Sequence, residues 1–173
     1  MAQLAVDFLR GPEVSSRLIE WFGKGGGGFS HVAPVLADGR YCDARSDVIA
    51  GVPAGVHIRD PKTEKARYRE RWALTVEQPV YDAWEANLRA RITDDYGKTD
   101  IVDFIIPRPG HQNGHWICSA HDIDALEHVK LVPYEWINGE PILGAWAPHS
   151  FTPNDALIIH ACIGFKKISS QAF

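Results

Sequence analysis

The sequence has no run of five or more like charges, and its formal net charge is only -4 over 173 residues, with a pI near 6.0. Chains that grip nucleic acid or an anionic membrane concentrate basic residues, so neither is expected as a partner. No stretch approaches the ~20 apolar residues that cross a bilayer, which argues against an integral membrane segment. The first residues, Met1-Ala2-Gln3-Leu4-Ala5-Val6-Asp7-Phe8, have no basic leader, and an acid interrupts their apolar run. They do not read as a signal peptide, and the cytoplasm is the default compartment. Cysteine is scarce: Cys42, Cys118 and Cys162 cannot all pair, and a cytosolic chain would hold them reduced. At least one free thiol therefore needs an explanation. There is no internal repeat, no domain linker, and no low-complexity tract beyond one run of glycines.

What is present suits an ordered chain. Hydrophobic residues make up 45%, charged residues 23%, and six tryptophans are spread along the length. That composition supports a packed core, and the length fits a single domain over residues 1–173.

Val6 to Leu9 is a short apolar stretch, and Val14, Leu18, Ile19 and Phe22 share one face of an expected helix that starts after Pro12. Gly23-Lys24-Gly25-Gly26-Gly27-Gly28 breaks that helix. A phosphate loop would need a strand before it, Lys-Ser/Thr at its end and a helix after it; here the lysine is early and a strand follows, so a flexible lid-like loop is the better expectation. Phe29 to Leu36 reads as a strand, Asp38-Gly39 as a hairpin turn and Arg40 to Ala44 as the return strand. Val56-His57-Ile58 and Trp72 to Val76 are further strands, joined by a connection, Asp60 to Arg71, whose charges are expected to face water. Val80, Trp84, Leu88 and Ile92 recur every four residues and predict a helix with one buried stripe. A short helix is expected from about Thr99 to before Pro107, followed by a polar loop from Arg108 to His115. Trp116-Ile117-Cys118 then leads into a helix whose apolar positions include Ile123, Leu126 and Val129. Pro153-Asn154-Asp155 is a turn or cap signal, and the apolar run Leu157 to Phe165 reads as a strand.

The chemistry centres on Cys118. A thiol at a helix N-terminus feels the positive end of the dipole, which favours the nucleophilic thiolate. Most cysteines are only small buried hydrophobes, so position alone does not assign a role. A cysteine nucleophile also needs a base within hydrogen-bond reach and a third group that fixes the base's tautomer. His31 opens one strand of the hairpin and Asp43 lies on the other, where cross-strand pairing can bring them together. Cys42 should point to the opposite face from Asp43 and fill the core, and Cys162, in its expected strand, is read the same way.

The segment Phe29-Ser30-His31-Val32, the Asp38-Gly39 turn and Tyr41-Cys42-Asp43-Ala44 resemble the catalytic hairpin of NlpC-type peptidases. In that family a polar third member follows the strand histidine after the turn, and Asp43 holds the matching position twelve residues beyond His31. Those enzymes place the cysteine helix before the hairpin. Here Trp116-Ile117-Cys118-Ser119-Ala120 follows it, an order that resembles the circularly permuted, YaeF/YiiX-like branch of papain-like cysteine peptidases and amidases. A helix ending in a glycine-containing turn before the Ser-His-Val strand, the Cys-Ser helix start and the late Thr152-Pro153-Asn154-Asp155 segment look like that branch too. The sequence departs from it in carrying Asp43 where Glu is common and Ala120 where an acid is common.

The resemblance implies an α+β papain-like fold, with a central antiparallel sheet carrying His31 and Asp43 packed against the helix that begins at Cys118. It implies a Cys118, His31, Asp43 triad that cleaves a peptide or isopeptide bond through an acyl-enzyme, on cell-wall-type peptides or another small amide-containing substrate, with no cofactor. The oxyanion would meet the Cys118 backbone amide and one side-chain donor; relatives often use a tyrosine, which makes Tyr96 the preferred candidate, with Gln112 and His115 as alternatives. Ser30, Gln112, His115 and Ser119 are candidates for touching substrate. Two other readings stay open: a lipid acyltransferase or thioesterase sharing the triad, and a zinc-binding interaction module built on His111, His115, Cys118 and His121, residue types that zinc accepts. Against zinc, the spacing matches no known finger or ribbon, and a metal site leaves the His31 to Asp43 hairpin unexplained. His121, Asp122 and Asp124 are read as a solvated helix face.

Overall fold

A computed structural model describes residues 1–12, 28–96, 117–132, 136–137, 140–141 and 152–173. The expected helix over residues 14–22, most of the glycine run, the short helix near residue 100 and the loop holding His111, Gln112 and His115 lie outside the described residues.

The framework is α+β: a six-stranded antiparallel sheet with helices against it. Strand β1 (Ala2–Arg10) is central, with β2 (His31–Val35) on one side and β5 (Tyr68–Val76) on the other. Beyond β2 lie β3 (Tyr41–Arg45) and β4 (Gly55–Arg59), and β8 (Lys166–Ala172) closes the far edge. The short strands β6 (Trp136–Ile137) and β7 (Glu140–Pro141) form a separate ribbon.

Alternation along the strands sorts the residues into two faces. Leu4, Val6 and Phe8 of β1, Val32 of β2, Cys42 and Ala44 of β3 and Val56 of β4 build one core with Trp84 and Leu88 of α1 (Gln78–Ala90) and Ile123 and Leu126 of α2 (Cys118–His128). The opposite face is also buried but differs in chemistry. Ala5, Leu9, Ala33, Val35 and Tyr41 form a smaller apolar cluster there, and Asp7, His31 and Asp43 are buried beside it.

The Asp38-Gly39 turn forms as expected. Leu36 N–H donates to Arg40 O at 2.8 Å, the Asp38 carboxylate accepts from Arg40 N–H at 3.0 Å, and Gly39 sits at φ +81°, where a side chain would be strained. Past the turn, β2 and β3 share only the Val35–Tyr41 register pair, so the ladder opens toward His31 and Asp43. Helix α2 packs against both strands.

Two sequence expectations are corrected. Leu157 to Phe165 is not a strand: Pro153–Cys162 forms helix α3. Thr152 and Asp155 make a reciprocal capping box, with Asp155 N–H donating to Thr152 Oγ1 at 3.2 Å and Thr152 N–H to Asp155 Oδ2 at 2.9 Å. A short apolar run is ambiguous between strand and helix by periodicity, and here the cap decides it. In helical phase Ala156 and His160 face inward, while Ile158 and Cys162 are exposed, so Cys162 is not a core filler. The charged connection before Trp72 is not all solvated either. Its last residues belong to β5, where Arg71 donates to buried Asp7 at 2.7 and 2.8 Å, and Glu64 pairs with Arg45 at 3.0 Å. Among the described residues no helix is long and apolar enough to cross a membrane.

Candidate active site

Helix α2 starts at Cys118 itself. Ile117, the N-cap, is extended (φ -104°, ψ 159°) and contributes no side-chain cap, so nothing from that side chain satisfies the first-turn amides beside the sulfur. Cys118, 6% exposed, lies close enough to His31, Val32 and Arg45 for their charges and dipoles to act on its thiol.

His31 and Asp43 lie on the same face of the sheet. Continuing the hairpin register from Val35–Tyr41 would set Asp43 opposite Ala33, so His31 is its diagonal neighbour, within reach of a long side chain. The contact is direct: His31 Nε2 donates to Asp43 Oδ2 at 2.6 Å, with both residues buried. With Nε2 engaged, Nδ1 is the ring nitrogen left for the thiol.

The electrostatics follow from this packing. Burial and nearby Arg45 oppose a charged His31, yet the adjacent sulfur and the bond to Asp43 outweigh them and raise its pKa to about 9. Burial also opposes a charged Asp43, but the His31 hydrogen bond and the cations His31, Arg59 and Arg45 hold it at about 2. Cys118 is pushed up by burial and pulled down further by His31, so the thiol lies below its ordinary range. Both shifts run toward the charged forms, thiolate and imidazolium. Cys42 is the contrast: buried in the core as the strand period requires, with its thiol toward Leu88 O at 3.6 Å, it is pushed up to about 12 and stays protonated.

Asp43 has a second partner that the sequence reading did not single out. Arg59, 3% exposed, donates from Nη1 to Asp43 Oδ1 at 2.7 Å and to Asp43 O at 2.8 Å, and from Nη2 to Pro53 O at 2.9 Å and Gly55 O at 3.1 Å. A signal existed: Val56 and Ile58 are the apolar positions of β4, so His57 and Arg59 belong to the other face. The β3–β4 register that pairs Asp43 with His57 makes Arg59 the next residue on Asp43's face.

Other candidates are placed as follows. Ser30 Oγ accepts from Gly11 N–H at 2.9 Å and donates to Leu9 O at 3.3 Å, and Ser119 is fully buried within α2. Tyr96 is half-buried against the main core. Gln112 and His115 lie outside the described residues. Of the four zinc candidates, His111 and His115 lie there too. The Cys118 thiol is engaged by His31, and burial pushes His121 down to about 4, so its imidazole is neutral at pH 7. Among the described residues no group of three or more His, Cys, Asp or Glu could hold a metal ion.

The expected solvated face of α2 is corrected as well. His121 and Asp122 are each 1% exposed because α2 is packed on β2, β3, α1 and α3. Asp122 Oδ2 lies 3.3 Å from His160 Nε2 of α3. Only Asp124 keeps the expected character, half-buried and 3.4 Å from Arg91.

No family model and no curated protein matches this chain.

Proposed function

We propose that the chain is a thiol hydrolase of amide bonds, a peptidase or amidase of the circularly permuted papain-like kind, with Cys118 as nucleophile, His31 as general base and acid, and Asp43 orienting the imidazole. The observation that carries this reading is Cys118 buried at a helix start, its thiol drawn toward the thiolate by a His31 ring whose Nε2 is held by Asp43 at 2.6 Å. Base and third member precede the nucleophile in the chain, as in the permuted branch, and the sheet carrying them packs on the nucleophile helix.

The steps follow from the charges. The thiolate of Cys118 attacks the substrate carbonyl carbon, forming the C–S bond, and the carbonyl electron pair moves onto oxygen. That oxyanion lies beside the backbone N–H of Cys118 at the positive end of α2. Imidazolium His31 gives its Nδ1 proton to the amide nitrogen, the C–N bond breaks, and the amine leaves. Neutral His31 then takes a proton from water, whose oxygen attacks the thioester. The carboxylic acid is released and the thiolate–imidazolium pair returns. Throughout, Asp43 keeps Nε2–H oriented and stabilises the ring when it is charged.

The test uses p-nitrophenyl acetate, an acyl donor that needs no specific recognition. An acetyl adduct on the Cys118 peptide is expected, followed by its hydrolysis to acetate. If an added amine captures the acetyl group in preference to water, the chemistry belongs to an acyltransferase. Acetylation spread over all three cysteines, or unaffected by His31→Ala, would sink the proposed triad.

A further inference from the structure

We propose that Arg59 is a positioning residue for the Cys118–His31 couple: anchored on backbone carbonyls, it clamps Asp43 Oδ1 so that Oδ2 alone is presented to His31. This inference rests on the triad reading above and extends it by one residue.

Three observations support it. First, Arg59 does not depend on Asp43's carboxylate for its place. Its Nη groups bond Asp43 O, Pro53 O and Gly55 O at 2.8, 2.9 and 3.1 Å. Gly55 is packed so closely on the backbone carbonyl of Asp94 that an added Cβ would come within 2.5 Å of that oxygen, which fixes one anchor. Second, each carboxylate oxygen has its own partner, Oδ1 with Arg59 at 2.7 Å and Oδ2 with His31 at 2.6 Å. Rotation about Cβ–Cγ would break both bonds at once. A planar guanidinium can reach in several fixed directions together, which an ammonium cannot.

Third, the charges cancel. The thiolate of Cys118, the imidazolium of His31, the carboxylate of Asp43 and the guanidinium of Arg59 form an alternating row of two anions and two cations. Without Arg59 the buried site carries an excess negative charge, and the more basic of its two anions, the Cys118 thiolate, takes up a proton at higher pH. Asp43 Oδ1, no longer clamped, would also be free to turn, and His31 would lose the fixed acceptor that holds its tautomer. The charged and titratable groups facing Asp43 are His31 on β2, Arg45 on β3, His57 and Arg59 on β4, and Cys118 and His121 on α2. Of the arginines, Arg45 is engaged with Asp47 and Glu64, so Arg59 is the cation bonded to this carboxylate.

The experiment reads the pH dependence of Cys118 alkylation by iodoacetamide, resolved by peptide mass, in the full chain. Arg59→Met is expected to move the acid-side midpoint of the profile up by about one pH unit, and Arg59→Lys by less. If Arg59 acts through Asp43, Arg59→Met adds no shift in an Asp43→Asn background, whereas independent residues would add. Should Arg59→Met fail to fold, Arg59→Lys alone and with Asp43→Asn supplies the same comparison, because lysine keeps the buried positive charge. A scaffold role would lower the melting temperature and leave the midpoint in place. Profiles of both Arg59 variants that superimpose on the wild type would overturn the proposal, as would an equal shift with and without Asp43. A wild-type profile indifferent to His31→Ala would instead overturn the triad reading, so the two failures are distinguishable.

Discussion

Replacing His31 with alanine is expected to slow acyl transfer from p-nitrophenyl acetate by at least about 30-fold at pH 7, since an unassisted thiol of pKa ~8.5 is only a few per cent ionised there. Nitrophenolate leaves without a proton, so this substrate reports thiolate formation alone. The matching acetyl 4-nitroanilide must also have its leaving nitrogen protonated, and general acid catalysis by a positioned histidine contributes about 10²–10⁴-fold. The anilide rate is therefore expected to fall by roughly 10³-fold or more. The gap between the two substrates is the diagnostic quantity. Equal losses on ester and anilide would mean that His31 ionises Cys118 but does not serve the leaving group. Raising the pH should recover much of the ester rate in the variant and little of the anilide rate, because alkali supplies the thiolate but not the acid.

Replacing His160 with alanine is expected to cost about 3–5 kcal/mol of stability, the usual penalty for deleting a fully buried ring, here packed on Phe8 and Phe165. His160 Nδ1 bonds Ala156 O at 2.7 Å, and because a carbonyl can only accept, that nitrogen carries hydrogen. Nε2 then faces Asp122 Oδ2 at 3.3 Å with both side chains 1% exposed. Removing the imidazole leaves a cavity beside Phe8, Phe165 and Asp122, and Asp122 is one helical turn from Cys118. The contrast is Asp124→Ala on the same helix: its pair with Arg91, 26% and 38% exposed at 3.4 Å, is worth about 1 kcal/mol or less. Urea unfolding of the two variants measures the difference. Similar small losses from both would show that His160 does not fasten α3 to α2. Asn154 ties α3 to the base strand as well, its Oδ1 accepting from Phe29 N–H at 3.1 Å two residues before His31. Loosening α3 therefore bears on both sides of the site.

The parts legible in the sequence are those governed by local rules. The hairpin carrying His31 and Asp43 is announced by two alternating strands around Asp38-Gly39, and the α1 stripe by apolar residues a helical turn apart. Residues beyond those rules depend on which elements meet. Arg59 looks like an ordinary strand-end charge until β4 is paired to β3 and its face becomes that of Asp43. Asp122 looks like a surface acid until α3 is known to be a helix, and α3 is misread because Leu157 to Phe165 is apolar without clear period. Its signal lies just upstream, in the Thr152 and Asp155 cap. Tyr41 and Arg71 carry the same lesson: they converge on buried Asp7 at 2.6 and 2.7 Å only because the order β3-β2-β1-β5 sets β3 and β5 on either side of β1, with Tyr41 reaching across β2, and no local pattern announces that order.

The central claim is that Cys118 is a thiolate at neutral pH because of His31. The direct measurement is the rate of iodoacetamide alkylation at each cysteine as a function of pH, in the wild type and in His31→Ala. Comparing Cys118 with itself across pH removes the effect of its limited access. Exposed Cys162 serves as a second reference, and core-buried Cys42, pushed up to about 12, as the unreactive one. In the wild type the Cys118 rate is predicted to be near its plateau already at pH 7 and flat until His31 loses its proton near 9. In His31→Ala it is predicted to keep climbing over the same range, by about 25-fold in all for an unassisted thiol of pKa ~8.5. A wild-type Cys118 rate that climbs in step with the variant's would contradict the account.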